Sequence, residues 1–211
     1  MNPKPKVYVD FDDVLCETAL EFTRVLEREF GRRVAFEDIF CFDLGQAFGL
    51  SRADLARLMR LTHEPEVLLR MEPVPGAIEA LGRWTEAGRE VRVVTGRPSY
   101  TREASLQWLK AHDVPFADLH FVDKYARESD DAFRHELLTL DQLARMDFCL
   151  AVEDSPQMVR FLTHQTRIPV AVLRRPWNAN GLDLAPEAAP RVFRCDDWPH
   201  ILQMFPAPSG T

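Results

Sequence analysis

The chain has 211 residues, of which 46% are hydrophobic and 28% are charged. This composition is typical of a globular protein and excludes disordered, collagen-like and coiled-coil chains. The formal net charge of −7 argues against a non-specific nucleic-acid binder, because such proteins present a basic surface to the phosphates.

Short apolar runs along the chain predict β-strands, and they alternate with amphipathic segments of helical length. The predicted strands are Val7–Phe11, Arg89–Thr95, Leu119–Val122, Phe148–Val152 and Val170–Leu173. The predicted helices between the later strands are Pro75–Glu86, Tyr100–Ala111, His135–Arg145 and Pro156–Gln165. This alternation predicts an α/β, Rossmann-like fold, in which a parallel sheet is covered by helices on both faces.

The interval between the first two predicted strands is far longer than one crossover helix requires. It contains two helical patterns, Thr18–Phe30 and Ser51–Leu61. We therefore expect a core domain of residues 1–16 and 73–211, with a small helical insertion of residues 17–72 above the sheet. Four phenylalanines of the insertion predict either a small core or a surface for stacking a nucleobase: Phe36, Phe40, Phe42 and Phe48.

The sequence also indicates a cellular setting. No apolar run approaches the roughly 18 residues of a membrane span, and the N-terminus carries no apolar secretion segment. The cysteines are scattered and form no CxxC pair: Cys16, Cys41, Cys149 and Cys195. We therefore expect a cytoplasmic protein without disulfides, in which Cys149 is buried within its apolar run.

Polar side chains lie at the carboxyl end of each of the first four predicted strands. They are Asp10 and Asp12, then Thr95, Gly96 and Arg97, then Lys124, and finally Glu153 and Asp154. The carboxyl ends of parallel strands meet at one edge of a sheet, where ligands bind. Clustered carboxylates repel one another and favour a divalent cation, and oxygen ligands suit Mg²⁺. One carboxylate at such a site can attack phosphorus, a second can move a proton, and a hydroxyl, a backbone N–H and a cation can hold the phosphoryl group.

Three motifs occur in a fixed order along the chain. Val7–Val14 is an apolar strand followed by DxDxV, Val93–Gly96 ends a strand in threonine, and Val152–Ser155 carries an acidic pair after a strand. Together they resemble the haloacid-dehalogenase-like (HAD) phosphohydrolase superfamily over nearly the whole chain. The resemblance implies that residues 17–72 form a cap that screens substrates and shields the site from water.

The resemblance also implies a role for each motif residue. Asp10 would be the nucleophile and a metal ligand, and Asp12 the general acid and base, with its backbone carbonyl on the metal. Asp154 would bind Mg²⁺, with Glu153 supporting it directly or through water. Thr95 would bind the phosphate. Asp13 stands where glycine is frequent in the family. Its carboxylate either adjusts the turn or faces solvent, and we expect the second.

The cation of the third motif has two candidates. Lys124 directly follows the third strand, as in the deoxyribonucleotidase branch. Arg134 lies in a segment that resembles the helix start of polynucleotide-kinase-type 3′-phosphatases, and the run Thr95–Pro98 resembles that branch too. His63–Ala77, in contrast, resembles the cap return of deoxyribonucleotidases. We predict Lys124 as the cation; Arg97 is either a further phosphate ligand or a surface arginine.

These observations predict a Mg²⁺-dependent phosphomonoester hydrolase that forms an aspartyl-phosphate. The expected partner is a small phosphorylated substrate, a nucleotide or another phosphate ester, with no membrane and no strong sign of nucleic-acid binding; the oligomeric state is left open. The alternatives are a 3′-phosphatase acting on polynucleotide ends, a phosphotransferase or dehalogenase, and a catalytically idle binding protein on the same fold.

Overall fold

The computed structural model describes residues 3–124 and 137–207. Their strands form one six-stranded sheet in the order β3-β2-β1-β4-β5-β6, and every neighbouring pair runs parallel. The strands are β1 (Lys6–Asp10), β2 (Glu90–Thr95), β3 (Asp118–Phe121), β4 (Phe148–Glu153), β5 (Val170–Leu173) and β6 (Val192–Cys195). The predicted α/β, Rossmann-like fold is confirmed.

The sheet is buried on both faces, as its apolar strands predict. Side chains alternate along a strand, so Val7 and Val9 pack into one hydrophobic cluster and Tyr8 into the other. Trp84 and Trp108 belong to the first cluster, and Met158 belongs to the second. The central position of β1 between β2 and β4 places the end of β1 among the ends of its neighbours.

Helices connect the strands. They are α1 (Thr18–Phe30), α2 (Leu44–Ala47), α3 (Arg52–Thr62), α4 (Pro65–Leu69), α5 (Ala77–Glu86), α6 (Arg102–Ala111), α7 (Leu140–Ala144), α8 (Pro156–Gln165) and α9 (Trp198–Met204). The bounds of α1 and α8 are those predicted; at α8, Ser155 caps the first turn by accepting from the Met158 N–H, and Pro156 occupies the first helical position. In the described part of the chain, no helix has both the length and the apolar character to cross a membrane.

Three predictions about local structure were wrong. The last strand, β6, was missed because its exposed edge position leaves only Cys195 fully buried. The helix predicted from His135 begins at Leu140 within the described residues, where Thr139 and Gln142 form a capping box. Cys149 is exposed, because the pairing of β1 with β4 skips from Phe148 to Leu150 and leaves Cys149 as the extra residue of a bulge.

The first four helices all lie between β1 and β2, in the predicted insertion of residues 17–72. The chain enters and leaves it at a junction, residues 15–17 and 72–74, whose two segments are hydrogen-bonded. The Glu17 N–H donates to the Glu72 carbonyl, and the Val74 N–H donates to the Leu15 carbonyl, each at 2.9 Å. The chain therefore departs from the core and returns to it at one place. The division into two domains stays a prediction.

Candidate active site

Asp10 ends β1 and is almost fully buried. The Lys124 ammonium contacts its Oδ1 and lies 3.2 Å from Oε1 of Glu153. Lys124 is itself only 2% exposed. A buried lysine is stable only when paired, so its place between two carboxylates defines one half of the site.

Glu153, at the end of β4, uses both carboxylate oxygens on protein donors. Its Oε1 accepts from the Tyr8 hydroxyl at 2.9 Å as well as from Lys124. Its Oε2 accepts from the backbone N–H groups of Asp154 and Ser155, both at 2.8 Å. Glu153 therefore fixes Lys124 and shapes the turn that carries Asp154.

Asp154 is also held by donors from the loop after β5. The Trp177 indole N–H donates to its Oδ2 at 2.8 Å, and the Asn178 amide donates to its carbonyl at 2.9 Å. One oxygen from each of Asp10, Glu153 and Asp154 lies within 4.8 Å of the others. Trp177 and Asn178 therefore hold Asp154 in place beside Asp10 and Glu153.

The crowding of acids has an electrostatic consequence. Burial, reinforced by the charge of Glu153, raises the pKa of Asp10 and of Asp154 well above the usual range for a carboxyl group, although Lys124 partly offsets this at Asp10. A divalent cation would lower both pKa values, because it would stabilise the ionised carboxylates. The oxygen-only donor set fits Mg²⁺, with Asp10, Asp154 and the Asp12 carbonyl as its expected protein ligands.

Asp12 forms the second half of the site. Its Oδ1 accepts from the Thr18 hydroxyl at 2.7 Å and from Nε of Arg97 at 2.9 Å. Its Oδ2 lies 3.3 Å from the Thr95 hydroxyl, a longer contact. Burial disfavours the charged form, but the Arg97 guanidinium outweighs burial and holds the pKa of Asp12 below its usual value.

Thr95 and Arg97 follow β2 as the sequence indicates. Thr95 is fully buried and its hydroxyl accepts from the Arg97 N–H at 3.0 Å. Arg97 is buried too, so the alternative of a surface arginine is wrong. Gly96, between them, lines the cavity above Asp10. Arg134 lies outside the described residues.

Asp13 does not face solvent, contrary to expectation. It is buried, and its side chain accepts from the Ala19 N–H at 2.9 Å at the start of α1. Its φ of 58° is in the left-handed region, which explains why glycine suits this turn. Burial raises the pKa of Asp13 to about 7.

A cavity of about 250 Å³ lies over the carboxylates. Its floor includes Asp10, Asp12 and Asp154, and its walls come from the insertion. The wall residues are mainly apolar and include Phe22, Phe42, Leu55, Met59 and Leu68. His63 adds a polar group, and its Nδ1 lies 2.5 Å from the Met59 carbonyl. Among the described residues, the lining contains one arginine and no lysine.

The four phenylalanines singled out in the insertion differ in their burial. Phe48 is buried, and Phe36 packs edge-on against Trp177, with ring centroids 5.7 Å apart. Phe40 and Phe42 are exposed, and Phe42 lines the cavity.

Sequence reasoning missed several residues that support the site. Tyr8, Thr18, Trp177 and Asn178 each donate to a carboxylate or a carbonyl of the acidic motifs. Thr18 follows the first motif closely and offered a signal as a hydroxyl at a helix start. Trp177 and Asn178 offered none, because they lie in a single 3₁₀ turn after β5, Pro176–Asn178, which is too short to show a hydrophobic period.

Known proteins that this chain resembles include nucleotidases. A family model described as "5′ nucleotidase, deoxy (Pyrimidine), cytosolic type C protein" matches residues 4–167. The protein named "Putative nucleotidase BH1399" from Halalkalibacterium halodurans is 21% identical over 170 residues, covering 81% of this chain and 80% of that protein. "Putative nucleotidase OB0422" from Oceanobacillus iheyensis is 22% identical over 197 residues, covering 92% and 95%.

Solved structures share the fold. A HAD family hydrolase from Deinococcus radiodurans, with bound phosphate and sodium, aligns with a TM-score of 0.60 at 15% identity, over 97% of this chain and 96% of that one. "Putative HAD-hydrolase YfnB" from Bacillus subtilis, bound to magnesium, aligns with a TM-score of 0.60 at 12% identity, over 97% and 100%. With the family match spanning most of the chain, this protein belongs to the cytosolic type C 5′-nucleotidase family of HAD-like phosphohydrolases and is a phosphatase.

Proposed function

We propose that this phosphatase is Mg²⁺-dependent and acts through an aspartyl-phosphate on Asp10. The observation that carries the proposal is the buried Lys124 between Asp10 and Glu153, beside Asp154. Lys124 reduces the repulsion between Asp10 and an incoming phosphate. When bound by Asp10, Asp154 and the Asp12 carbonyl, Mg²⁺ would neutralise the carboxylates and the phosphoryl oxygens.

The two aspartates of the first motif divide the chemistry. A carboxylate oxygen of Asp10 attacks phosphorus, and the bond from phosphorus to the leaving oxygen breaks as the protonated form of Asp12 gives that oxygen its proton. Water then attacks the same phosphorus, Asp12 takes a proton from it, and the Asp10 carboxylate leaves with inorganic phosphate released. Thr95, Gly96 and Lys124 hold the phosphoryl oxygens through both steps.

The residues that line the cavity favour a substrate whose leaving group is uncharged and has a large apolar surface. Its walls are mainly apolar, and the one lining arginine among the described residues already pairs with Asp12. A second phosphate or a carboxylate on the substrate would therefore meet no lysine and no second arginine among the described lining residues. A nucleoside fits this description, and the family match supports a nucleotide, with Phe42 placed to contact the base. We also propose a cytoplasmic location, which the family description supports.

The test is a screen of phosphate release with and without Mg²⁺. The panel contains deoxynucleoside 5′-monophosphates, sugar phosphates, a sugar bisphosphate and 3′-phosphorylated oligonucleotides. We expect metal-dependent release from the nucleoside monophosphates and little from the bisphosphate. Full activity after chelation, or a preference for the oligonucleotides, would contradict the proposal.

A further inference from the structure

Arg97 is held through all three of its guanidinium nitrogens. Nε and Nη2 both contact Oδ1 of Asp12, at 2.9 and 2.8 Å, and Nη1 donates to the Ser105 hydroxyl at 3.2 Å. The ring of Phe11 lies under the guanidinium group at 4.0 Å. The side chain is 2% exposed, so nearly all of its surface is in contact with protein.

Sulfur atoms near the junction complete this slot. Nη2 of Arg97 lies 3.2 Å from Cys16 Sγ and 3.7 Å from Met71 Sδ. If the guanidinium turned towards a phosphate at Asp10, it would give up these contacts and its charge-assisted bonds with Asp12. That movement would separate the buried Arg97 charge from the Asp12 carboxylate, which is itself 27% exposed, and loss of a partner is costly for a buried charge.

The two carboxylates of the first motif thus have separate cations. Lys124 contacts Asp10, and Arg97 contacts Asp12. Resting on the proposed function, we propose that Arg97 is a positioning residue that orients Asp12 for proton transfer and does not bind the substrate phosphate. Lys124 then supplies the positive charge beside the substrate phosphate.

The hydrogen bonds show what this orientation achieves. Oδ1 of Asp12 accepts from both Arg97 nitrogens and from Thr18, which fills its acceptor capacity. Oδ2 has the longer contact with Thr95 and is the oxygen left to exchange a proton. Arg97 therefore selects which oxygen of Asp12 faces the leaving group.

The first experiment separates positioning from phosphate binding. Calorimetry of inorganic phosphate with Mg²⁺ compares the parent with Arg97→Gln, and Arg83→Gln controls for loss of an exposed arginine paired with Glu79. We expect an unchanged dissociation constant for Arg97→Gln. Loss of a direct phosphate contact would instead weaken binding by about tenfold or more, and that result would overturn the proposal.

The second experiment uses the leaving group. An alkyl phosphate needs a proton on its leaving oxygen, whereas p-nitrophenyl phosphate does not. We expect Arg97→Gln to lower kcat for the alkyl ester about tenfold or more beyond its effect on p-nitrophenyl phosphate, with Arg97→Lys intermediate. Equal losses on the two esters would contradict a positioning role.

Ser105→Ala provides a variant that keeps the charge of Arg97. It removes only the hydroxyl that anchors Nη1, so it is usable if Arg97→Gln fails to fold. We expect the same preferential loss on the alkyl ester, smaller in size, and an unchanged ratio would count against the proposal. If the parent releases phosphate from no ester, the proposed function fails, and the calorimetry still decides whether Arg97 binds phosphate.

Discussion

The Asp10 and Asp12 sides of the site are built from different parts of the molecule. Lys124 and Glu153, which contact one another beside Asp10, both come from the carboxyl ends of core strands. Asp12 is held instead by Thr18, in the first helix of the insertion, and by Arg97, which touches Met71 near the junction. The sheet thus fixes Asp10, the proposed nucleophile, whereas the insertion shares in fixing Asp12, the proposed proton-transfer group.

The largest expected effect lies on the Asp10 side. Asp10→Asn should lower kcat by on the order of 10⁴-fold or more, because an amide does not attack phosphorus at a useful rate. Steady-state hydrolysis of p-nitrophenyl phosphate measures this. Asp141→Asn, on the exposed surface of α7, is the matched control and should keep parental activity. If Asp10→Asn kept the parental rate of turnover, Asp10 could not be the nucleophile.

Loss of the cation beside Asp10 should come next. Lys124→Ala is expected to cost about 3–4 kcal/mol of transition-state stabilisation, as for one preorganised oxyanion donor. Comparison of kcat/KM with Arg134→Ala, on one substrate, checks the assignment. A large loss confined to Arg134 would reverse it and strengthen the polynucleotide-phosphatase alternative.

A third prediction concerns Trp177, which contacts Asp154 from beyond the strand ends. We expect this contact to contribute to Mg²⁺ affinity. Trp177→Phe keeps a ring against Phe36 but removes the donor to Asp154. We expect Mg²⁺ affinity, measured by calorimetry, to weaken about tenfold, as for other groups that orient a metal ligand. Asp154→Ala should weaken it further and serves as the reference. Equal affinity of parent and Trp177→Phe would show that the indole has no such role.

The smallest effect is expected where the insertion meets Asp12. Thr18→Val removes one hydroxyl from Oδ1, which should lower stability by about 1 kcal/mol and kcat a few-fold. Urea unfolding and kinetics on an alkyl phosphate measure the two effects. Thr18→Ser restores the hydroxyl and should recover both. Failure of serine to rescue would attribute the loss to packing.

The sequence predicted the positions of site residues best where those residues lie at the ends of strands. Asp10, Thr95, Lys124 and Asp154 were each placed by an apolar run that ends at a polar residue, and parallel pairing brings such ends together. Their relative order along the chain was enough to identify the superfamily. The roles assigned to them remain predictions for the experiments above.

The residues that escaped prediction depend on irregular backbone. Trp177 reaches Asp154 from a loop without hydrophobic periodicity, and Asp13 is buried by a left-handed turn that no pattern of polarity encodes. Cys149 lies at a bulge, where a one-residue slip in pairing moves a strand residue out of its expected environment. Each case turns on a local conformation that is set by tertiary contacts.

Residues 17–72 begin and end at the junction, where the two backbone segments are hydrogen-bonded to each other. Because Glu17 and Glu72 are hydrogen-bonded neighbours, the core is nearly continuous across the insertion, as at sites where nature splices one domain into another. A short turn in place of residues 17–72 would connect β1 to α5 without repositioning Lys124 or Asp154. If residues 17–72 form the predicted cap, exchange of this segment between relatives would alter substrate choice and replace Thr18 beside Asp12, while the strand ends that carry Lys124 and Asp154 would be kept.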